Sequence, residues 1–292
     1  QLAHASDTKI FKLWEGLGYY SRCKNLIATA KIIDKEYNGE FPDSYEKILS
    51  LPGIGPYTAA AIASFAFNLP YAVVDGNVLR VLTRIGGIKT PADSTKGKIL
   101  LGKLAFELLD KKQPGLYNQA IMDFGAVVCK PKIPACHDCI MQKNCNAYQL
   151  ELVAELPVKE KKIVKRIRWL YYFVIRYNNH VYIRKRTARD IWQNLHEFLL
   201  VEKDSPITTK NWLQLPPVKQ LFNQSETIIT KVYTQQLTHQ TLHGQFIEIT
   251  ADHPPNLGAD FVGVAYRDLT RYPFPKFMIT YLQEKNVNLS QH

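Results

Sequence analysis

Hydrophobic residues recur at helical spacing through the first half of the chain. Leu101, Leu104, Ala105 and Leu108, for example, fall on one side of a helix of 3.6 residues per turn. Glycine and proline separate segments of this kind and mark their ends. The pattern predicts helices at 9–14, 24–37, 44–51, 57–67, 77–86, 94–109 and 117–127. We therefore expect residues 1–150 to form an all-α domain.

The pattern changes after residue 150. Pro157 and a run of lysine and arginine predict a linker at 151–168. Aromatic and β-branched residues then predict strands at 169–177 and 180–185, joined by an Asn-Asn turn, at 227–234 and at 245–250. A closing helix is predicted at 275–284. Residues 169–292 are expected to form an α+β domain.

Charge points to a polyanionic partner without proving one. The 292 residues include 37 Lys plus Arg and 26 Asp plus Glu, a net charge of +11. This excess favours nucleic acid as a partner, although it fits an ordinary basic protein equally well. The sequence shows no apolar run long enough for a membrane span and no secretory signal peptide, so a cytoplasmic location is expected.

Four of the five cysteines lie close together, with six, two and five residues between them. They are Cys129, Cys136, Cys139 and Cys145. Thiolates clustered in a basic chain predict a metal centre rather than disulfides. Zinc ribbons usually pair two C-x2-C sequences across a longer loop, whereas this loop has only one, which favours a [4Fe–4S] cluster. The loop's lysines could contact DNA phosphates or simply be solvated.

Residues 51–59 read Leu-Pro-Gly-Ile-Gly-Pro-Tyr-Thr-Ala. Gly53 and Gly55 allow a tight turn and a close approach to a ligand. The helix that follows presents free N–H groups near Tyr57 and Thr58, where a phosphate can bind. The full string predicts a helix–hairpin–helix that holds the DNA backbone, while a G-x-G alone would also fit a plain turn.

Asp75 begins the next predicted helix, in the string Val-Val-Asp-Gly-Asn. Aspartate is a favoured N-cap, so a purely structural role is one interpretation. The other is catalytic, because a carboxylate facing a DNA-binding cleft can stabilise positive charge that develops on a deoxyribose ring. Both interpretations remain open from the sequence.

The order of hairpin, aspartate and cysteine loop resembles the helix–hairpin–helix DNA glycosylase superfamily. Within it, the string W-x-G-L-G-Y-Y-x-R-x-x-N-L at 14–26 and the string N-Q-A-x-M-D-x-G at 118–125 resemble adenine DNA glycosylases of the MutY type. The resemblance covers essentially the whole chain. It implies removal of adenine paired with 8-oxoguanine or guanine in duplex DNA, with Asp75 as a catalytic residue and the four cysteines as structural ligands of the cluster.

The resemblance also implies roles for two tyrosines. In the family, the residue at the position of Tyr19 wedges into the duplex beside the lesion; the alternative is a core tyrosine, which suits Tyr20 better. Tyr57 stands where endonuclease III relatives carry a nucleophilic lysine. Since no amine is available there, a monofunctional enzyme with water as the nucleophile is expected.

The C-terminal part resembles the family's Nudix-like domain, which recognises 8-oxoguanine. The sequence has no acidic Nudix catalytic box, so this domain is expected to bind rather than hydrolyse. Thr238 and His239 align with the family's F-S-H loop, with Leu237 in place of Phe; His239 could equally be an ordinary histidine. Residues 189–198 depart from the family's glycine-rich segment, so they support the fold alone.

One expected residue is missing. Family members carry a catalytic glutamate ahead of the W-x-G-L-G-Y-Y string, and Glu15, inside that string, is not its equivalent. We therefore expect an N-terminally truncated copy of a monomeric enzyme, inactive by itself. The rivals are an endonuclease III-like enzyme acting on oxidised pyrimidines and a non-catalytic lesion-binding protein.

Overall fold

The computed structural model describes residues 1–160, 164–208, 218 and 227–285. Its internal contacts divide the chain into two units. The helical unit comprises residues 32–162, and the sheet unit comprises residues 1–31 together with 163–292. Among the described residues, no helix has the length and apolarity needed to cross a membrane.

The predicted helices are confirmed, with ends shifted by a few residues. The helices are α1 (Asp7–Leu13), α2 (Tyr20–Glu36), α3 (Tyr45–Leu49), α4 (Pro56–Phe67), α5 (Gly76–Gly86), α6 (Thr95–Leu108), α7 (Pro114–Val127), α8 (Asn146–Gln149) and α9 (Lys276–Glu284). Short 3-10 helices cover Leu2–His4, Gln142–Asn144 and Tyr266–Arg271. Among these α-helices of the described residues, the single-turn α8 has no predicted counterpart, because four residues are too few to show a helical period.

Local sequence explains where the helices of the helical unit begin and end. Pro56 and Pro114 occupy first-turn positions of α4 and α7, where a missing N–H costs nothing. The Ser94 side chain caps α6 by accepting a hydrogen bond from Gly97 N at 3.0 Å. Asn68 and Gly87 end α4 and α5 in left-handed conformations, with φ of 51° and 62°.

The sheet unit is built around one long central strand. The strands are β1 (Arg166–Tyr177), β2 (His180–Lys185), β3 (His196–Glu197), β4 (Leu199–Lys203), β5 (Thr227–Ile229), β6 (Tyr233–Gln236), β7 (Gln240–Thr250) and β8 (Phe261–Ala265). The sheet order is β3-β2-β1-β7-β5, with β4 also paired to β1, β6 to β7 and β8 to β2. The β1–β7 pair is parallel, from Arg166 opposite Gln240 to Arg176 opposite Thr250.

Both faces of β1 are buried. Alternate residues Leu170, Tyr172 and Val174 enter one core, and Tyr171 and Phe173 enter another. This explains the continuous apolar run from which β1 was predicted. The single strand predicted at 227–234 is instead two strands, β5 and β6, and the strand predicted at 245–250 extends back to residue 240.

Residues 1–31 pack with the sheet unit, whereas the sequence placed them with the helical domain. Phe11, Cys23 and Ile27 share one core with Trp192 and Phe274. Cys23 is fully buried, and burial raises the pKa of its thiol to about 11, so it serves as a core residue. Helical periodicity shows that a face is apolar but does not identify its partner. The predicted domain limits at 150 and 169 stay a prediction.

Candidate functional site

Asp75 is the N-cap of α5, as one of its two interpretations required. Its Oδ1 accepts a hydrogen bond from Val78 N at 2.7 Å, and its Oδ2 accepts one from the Asn77 side chain at 2.9 Å. The residue is only partly buried and borders a cavity of about 570 Å³. Capping therefore leaves the carboxylate at the wall of a cavity, and the two interpretations are compatible.

The cavity at Asp75 has a polar wall. Besides Asp75, its lining includes Asn77, Arg80, Asp93 and Lys98. Its volume falls within the roughly 300–1,000 Å³ typical of small-molecule sites. A carboxylate that faces such a space, with cationic side chains around it, can act on a ligand that develops positive charge.

Asn118 fixes the extended segment that leads into Asp75. This side chain is 1% exposed; it accepts a hydrogen bond from Val73 N at 3.0 Å and donates to Tyr71 O at 2.9 Å and to Ser64 Oγ at 3.0 Å. A buried amide with three bonds specifies one backbone path. Asn118 lies in the string at 118–125, but this role could not be predicted from the string, because the partners of Asn118 lie 45 to 54 residues away.

Two buried arginines of α5 tie Asp75's helix to the cysteine loop. Arg80 donates to Cys129 O at 2.7 Å and to Gly125 O at 2.6 Å. Arg84 donates to Lys130 O at 2.8 Å and to Leu156 O at 3.0 Å. Neither arginine was predicted from the sequence as a functional residue. Their spacing of four positions on a helix that otherwise buries apolar residues was the available signal, since a buried guanidinium needs several acceptors.

The glycine hairpin has the geometry of a tight turn into a helix. Gly53 has a φ of 77°, and Gly55 is the N-cap of α4. Ala59 N donates to Gly55 O at 2.8 Å. The amides of Tyr57 and Thr58 belong to the first turn, where no helical carbonyl precedes them. The Tyr57 side chain is 48% exposed, so this end of α4 is open to solvent. Phosphate binding here stays a prediction.

The four predicted metal ligands lie on one loop, between Cys129 and Cys145. All are free thiols of intermediate exposure. Burial raises the pKa of Cys136, and the neighbouring thiols of Cys129, Cys139 and Cys145 raise it further. Arg84 Nη1 lies 3.4 Å from Cys129 Sγ. Within the described part of the chain, no three His, Cys, Asp or Glu side chains are arranged closely enough to hold a metal ion.

Tyr19 and the Thr238–His239 turn both lie in the sheet unit. Tyr19 is 70% exposed and has a left-handed φ of 47°, while the adjacent Tyr20 is buried. Thr238 and His239 are exposed in the turn between β6 and β7, which is closed by Leu237 N donating to Gln240 O at 2.8 Å. These side chains are free to meet a partner. Asp75, the glycine hairpin and the cysteine loop lie in the helical unit.

Two family models match the sequence. The model described as the HhH-GPD superfamily of base excision DNA repair proteins matches residues 1–103, and the NUDIX domain model matches residues 171–284. The first match includes residues 1–31, whereas the internal contacts of the structure place these residues in the sheet unit. The two matches agree with an all-α region followed by a Nudix-like α+β domain.

Curated relatives with adenine DNA glycosylase as their name match the chain. One from Buchnera aphidicola (Schizaphis graminum) is 35% identical over 234 residues, which cover 80% of this chain and 66% of the relative. One from Mus musculus is 47% identical over 149 residues, covering 51% of this chain and 29% of the relative. The chain thus spans about two thirds of the length of the bacterial relative and much less of the mouse protein.

Solved structures of DNA glycosylases also align with part of the chain. A thermostable thymine-DNA glycosylase aligns with a TM-score of 0.48 and 31% identity, covering 51% of this chain and 69% of that chain. A non-covalent endonuclease III–DNA complex aligns with a TM-score of 0.46 and 24% identity, covering 52% and 69%. Because both TM-scores are below 0.5, the sequence matches carry the family assignment.

Proposed function

Because the chain belongs to the adenine DNA glycosylase branch of the helix–hairpin–helix superfamily, we propose that it acts in base excision repair on adenine opposite 8-oxoguanine or guanine. The reaction is hydrolysis of the N-glycosidic bond in duplex DNA. The observation that carries this proposal is the position of Asp75, whose carboxylate is held by the start of α5 at the wall of a 570 Å³ cavity.

Asp75 supplies electrostatic stabilisation. As the bond to adenine breaks, positive charge develops on the deoxyribose ring, and a fixed carboxylate lowers the energy of that state. Tyr57 offers no amine, so water is the nucleophile and no Schiff base forms. The base must leave the duplex before it can reach the cavity. The residue that protonates adenine is not assigned to any position of this sequence.

The glycine hairpin and Tyr19 bind the DNA. Amides at the start of α4, including those of Tyr57 and Thr58, bind backbone phosphates without reading sequence. Tyr19, exposed on the sheet unit, offsets the lost base stacking by inserting its ring beside the lesion. Thr238 and His239, on their exposed turn, contact the 8-oxoguanine. The chain binds duplex DNA as a monomer.

Cys129, Cys136, Cys139 and Cys145 would hold one [4Fe–4S] cluster. The donor set supports this, since four neighbouring thiols beside a cationic Arg84 suit an anionic thiolate cluster. The cluster's contribution is to fix the loop. The loop's exposed residues Lys130, Lys132 and Lys143 then face the DNA phosphates.

The test is single-turnover adenine release from an 8-oxoguanine:adenine duplex by the wild-type protein extended upstream of Gln1 and by the same extended protein with Asp75→Asn. Asparagine caps a helix as well as aspartate does, so the fold is retained while the charge is lost. We expect release to fall by at least about 100-fold, with duplex binding kept. Asp43→Asn, on an exposed loop, is the control. Equal release by Asp75→Asn and wild type would refute the catalytic role.

A second candidate is a non-catalytic lesion-binding protein. It is supported by the exposure of Tyr19, Thr238 and His239, which could hold a lesion without any reaction at Asp75. Binding that prefers 8-oxoguanine:adenine duplexes, with no adenine release by the wild-type protein, would select this candidate. Trapping of a covalent adduct by borohydride would instead select an endonuclease III-like enzyme.

A further inference from the structure

Residues 14–19 form a loop between α1 and α2, which we call the wedge loop. Gly16, Gly18 and Tyr19 all have left-handed φ angles, of 85°, 73° and 47°. For tyrosine this conformation costs about 1–2 kcal/mol, so the surrounding contacts must impose it. The Trp14 side chain holds the loop by donating to Gly18 O at 3.0 Å. The loop therefore presents Tyr19 in one defined backbone conformation.

Glu15 ties this loop to the segment in front of α9. Its Oε1 accepts a hydrogen bond from Phe274 N at 2.7 Å, across 259 residues of sequence. Its Oε2 accepts one from Lys12 Nζ at 2.6 Å, and Lys12 Nζ also lies 3.4 Å from Tyr272 O. The side chains of Lys12 and Glu15 are only 7% and 11% exposed. A carboxylate this deeply buried keeps its place because both of its oxygens are used.

The sheet unit, which contains the wedge loop, also contains the turn with Thr238 and His239. That turn joins β6 to β7, and Arg166 N at the start of β1 donates to His239 O at 3.0 Å. A second tie, from Lys24 Nζ to Gln193 Oε1 at 3.0 Å, is exposed. The wedge tyrosine and the lesion-recognition turn thus belong to one packed unit, and Glu15 is the buried polar link within it.

We infer that Glu15 is a positioning residue, which makes insertion of Tyr19 dependent on the domain that recognises 8-oxoguanine. This inference rests on the proposed function, in which Tyr19 is the wedge. Without the link, the wedge loop would lose its buried polar contact with the segment in front of α9, and Tyr19 would be placed less accurately while the unit still binds DNA. The duplex would then be bound but not opened beside the lesion.

The experiment measures base unstacking directly. The full chain is added at saturating concentration to a duplex that carries 2-aminopurine beside 8-oxoguanine, and the gain in fluorescence reports lost stacking. The double variant Lys12→Met/Glu15→Met removes the link without leaving a buried charge unpaired. Because an aromatic–base stack is worth about 1–3 kcal/mol, we expect the fluorescence gain to fall at least about threefold in this variant. Duplex affinity, set mainly by phosphate contacts, should change less.

Three further variants serve as controls for this fluorescence measurement. Tyr19→Ala should abolish the gain; if it does not, the wedge role in the proposed function fails. Lys24→Met, which removes only the exposed bond to Gln193, should keep the gain, as should Asp7→Asn, which removes an exposed ion pair with Lys31. A normal gain in the double variant, with Tyr19→Ala inactive, overturns the link while the proposed function stands.

Folding is checked by a thermal melt of each variant. If the double variant does not fold, Glu15→Ser replaces it, since serine is too short to reach Phe274 N. The same threefold loss is expected, and a normal gain overturns the inference. Failure of both variants to fold would overturn it too, because Glu15 would then hold the unit together rather than position the wedge.

Discussion

In the helical unit, the buried Arg84 donates to main-chain carbonyls of the cysteine loop, whereas in the sheet unit the buried Arg168 donates to carboxylates. Arg168 makes four such bonds, two to Glu202 at 2.6 and 2.7 Å and two to Asp190 at 2.6 and 3.0 Å. The hydrogen bonds that Arg168 donates to Glu202 are the largest reason why the pKa of Arg168 is raised. In the sheet unit, ionised carboxylates neutralise Arg168. In the helical unit, the carbonyls that bind Arg84 carry no charge.

The difference indicates what each cluster is suited for. Carbonyls satisfy the N–H groups of Arg84 but leave its positive charge uncompensated beside Cys129. An anionic metal centre held by the cysteine thiolates would neutralise that charge. In the sheet unit the charges already cancel, so Arg168 serves the fold. Removing Arg168 should therefore lower the unfolding free energy of the sheet unit. Changing Arg84 should mainly affect the cysteine loop of the helical unit.

The largest effect is expected for Arg168→Met. It leaves the partly buried carboxylates of Asp190 and Glu202 without their closest cation, so the unfolding free energy of the sheet unit should fall by about 3 kcal/mol. Arg166→Met is the matched control on the same strand, since Arg166 is 62% exposed and its ion pairs are worth under about 1 kcal/mol. Urea unfolding followed by tryptophan fluorescence measures this unit alone, because all four tryptophans lie outside residues 32–162. Equal effects of the two changes would refute the difference between the clusters.

The next effect concerns His196, which makes the sheet unit sensitive to acid. Burial, and then the charge of Lys185, lower the pKa of His196 to about 4. The unfolded chain takes up this proton near pH 6.5, so stability is full above that pH and falls as the pH drops towards 4. The loss should reach at most about 3 kcal/mol. His196→Phe should remove this part of the pH dependence, while the exposed His253→Phe should not. Tryptophan-monitored urea midpoints between pH 7 and 4 measure it, and an unchanged slope in His196→Phe would contradict the prediction.

A smaller effect is expected for Arg84→Lys in the helical unit. Lysine keeps the charge but cannot bond Lys130 O, Leu156 O and Pro131 O together. We expect a loss of about 2 kcal/mol in the helical unit and less iron bound per chain. Far-ultraviolet circular dichroism and iron analysis measure the two. Lys103→Ala, an exposed change on α6, should leave both unchanged. Full iron in Arg84→Lys would show that the charge alone suffices.

The smallest effect should be common to both units. Asn194 in the sheet unit and Asn68 in the helical unit have left-handed φ angles of 73° and 51°. Glycine adopts this conformation freely, whereas alanine pays about 1 kcal/mol. At each site, alanine should therefore lower the melting temperature relative to glycine. A difference at one site only would show that side-chain bonds, rather than backbone conformation, decide the other.

Local pattern accounts for much of this structure. The predicted helices 57–67 and 77–86 differ from α4 and α5 by one residue at the start, because apolar spacing, Pro56 and the Asp75 cap all act within a few residues. The capping of Asp75 was one of two interpretations and is observed. Its catalytic role, the phosphate site and the cluster stay predictions.

The rest depends on contacts between distant residues. Asn118 reaches Val73 across 45 positions, and Glu15 reaches Phe274 across 259. No periodic pattern in the sequence shows which residues meet across such long intervals. The same is true of residues 1–31, whose apolar face fits either unit by composition and packs with the sheet unit because its partners, such as Trp192, are there.

The pairing of β1 with β7 and the packing of residues 1–31 have a consequence for the order of folding. Residues 32–162 make their contacts within one continuous stretch, so this unit can fold as soon as it leaves the ribosome. Residues 1–31 are synthesised before this unit, whereas Phe274 is synthesised after it. Phe11, Cys23 and Ile27 therefore stay exposed until Trp192 and Phe274 have been synthesised, so this segment depends on slow, non-local closure and can be bound by chaperones in the meantime.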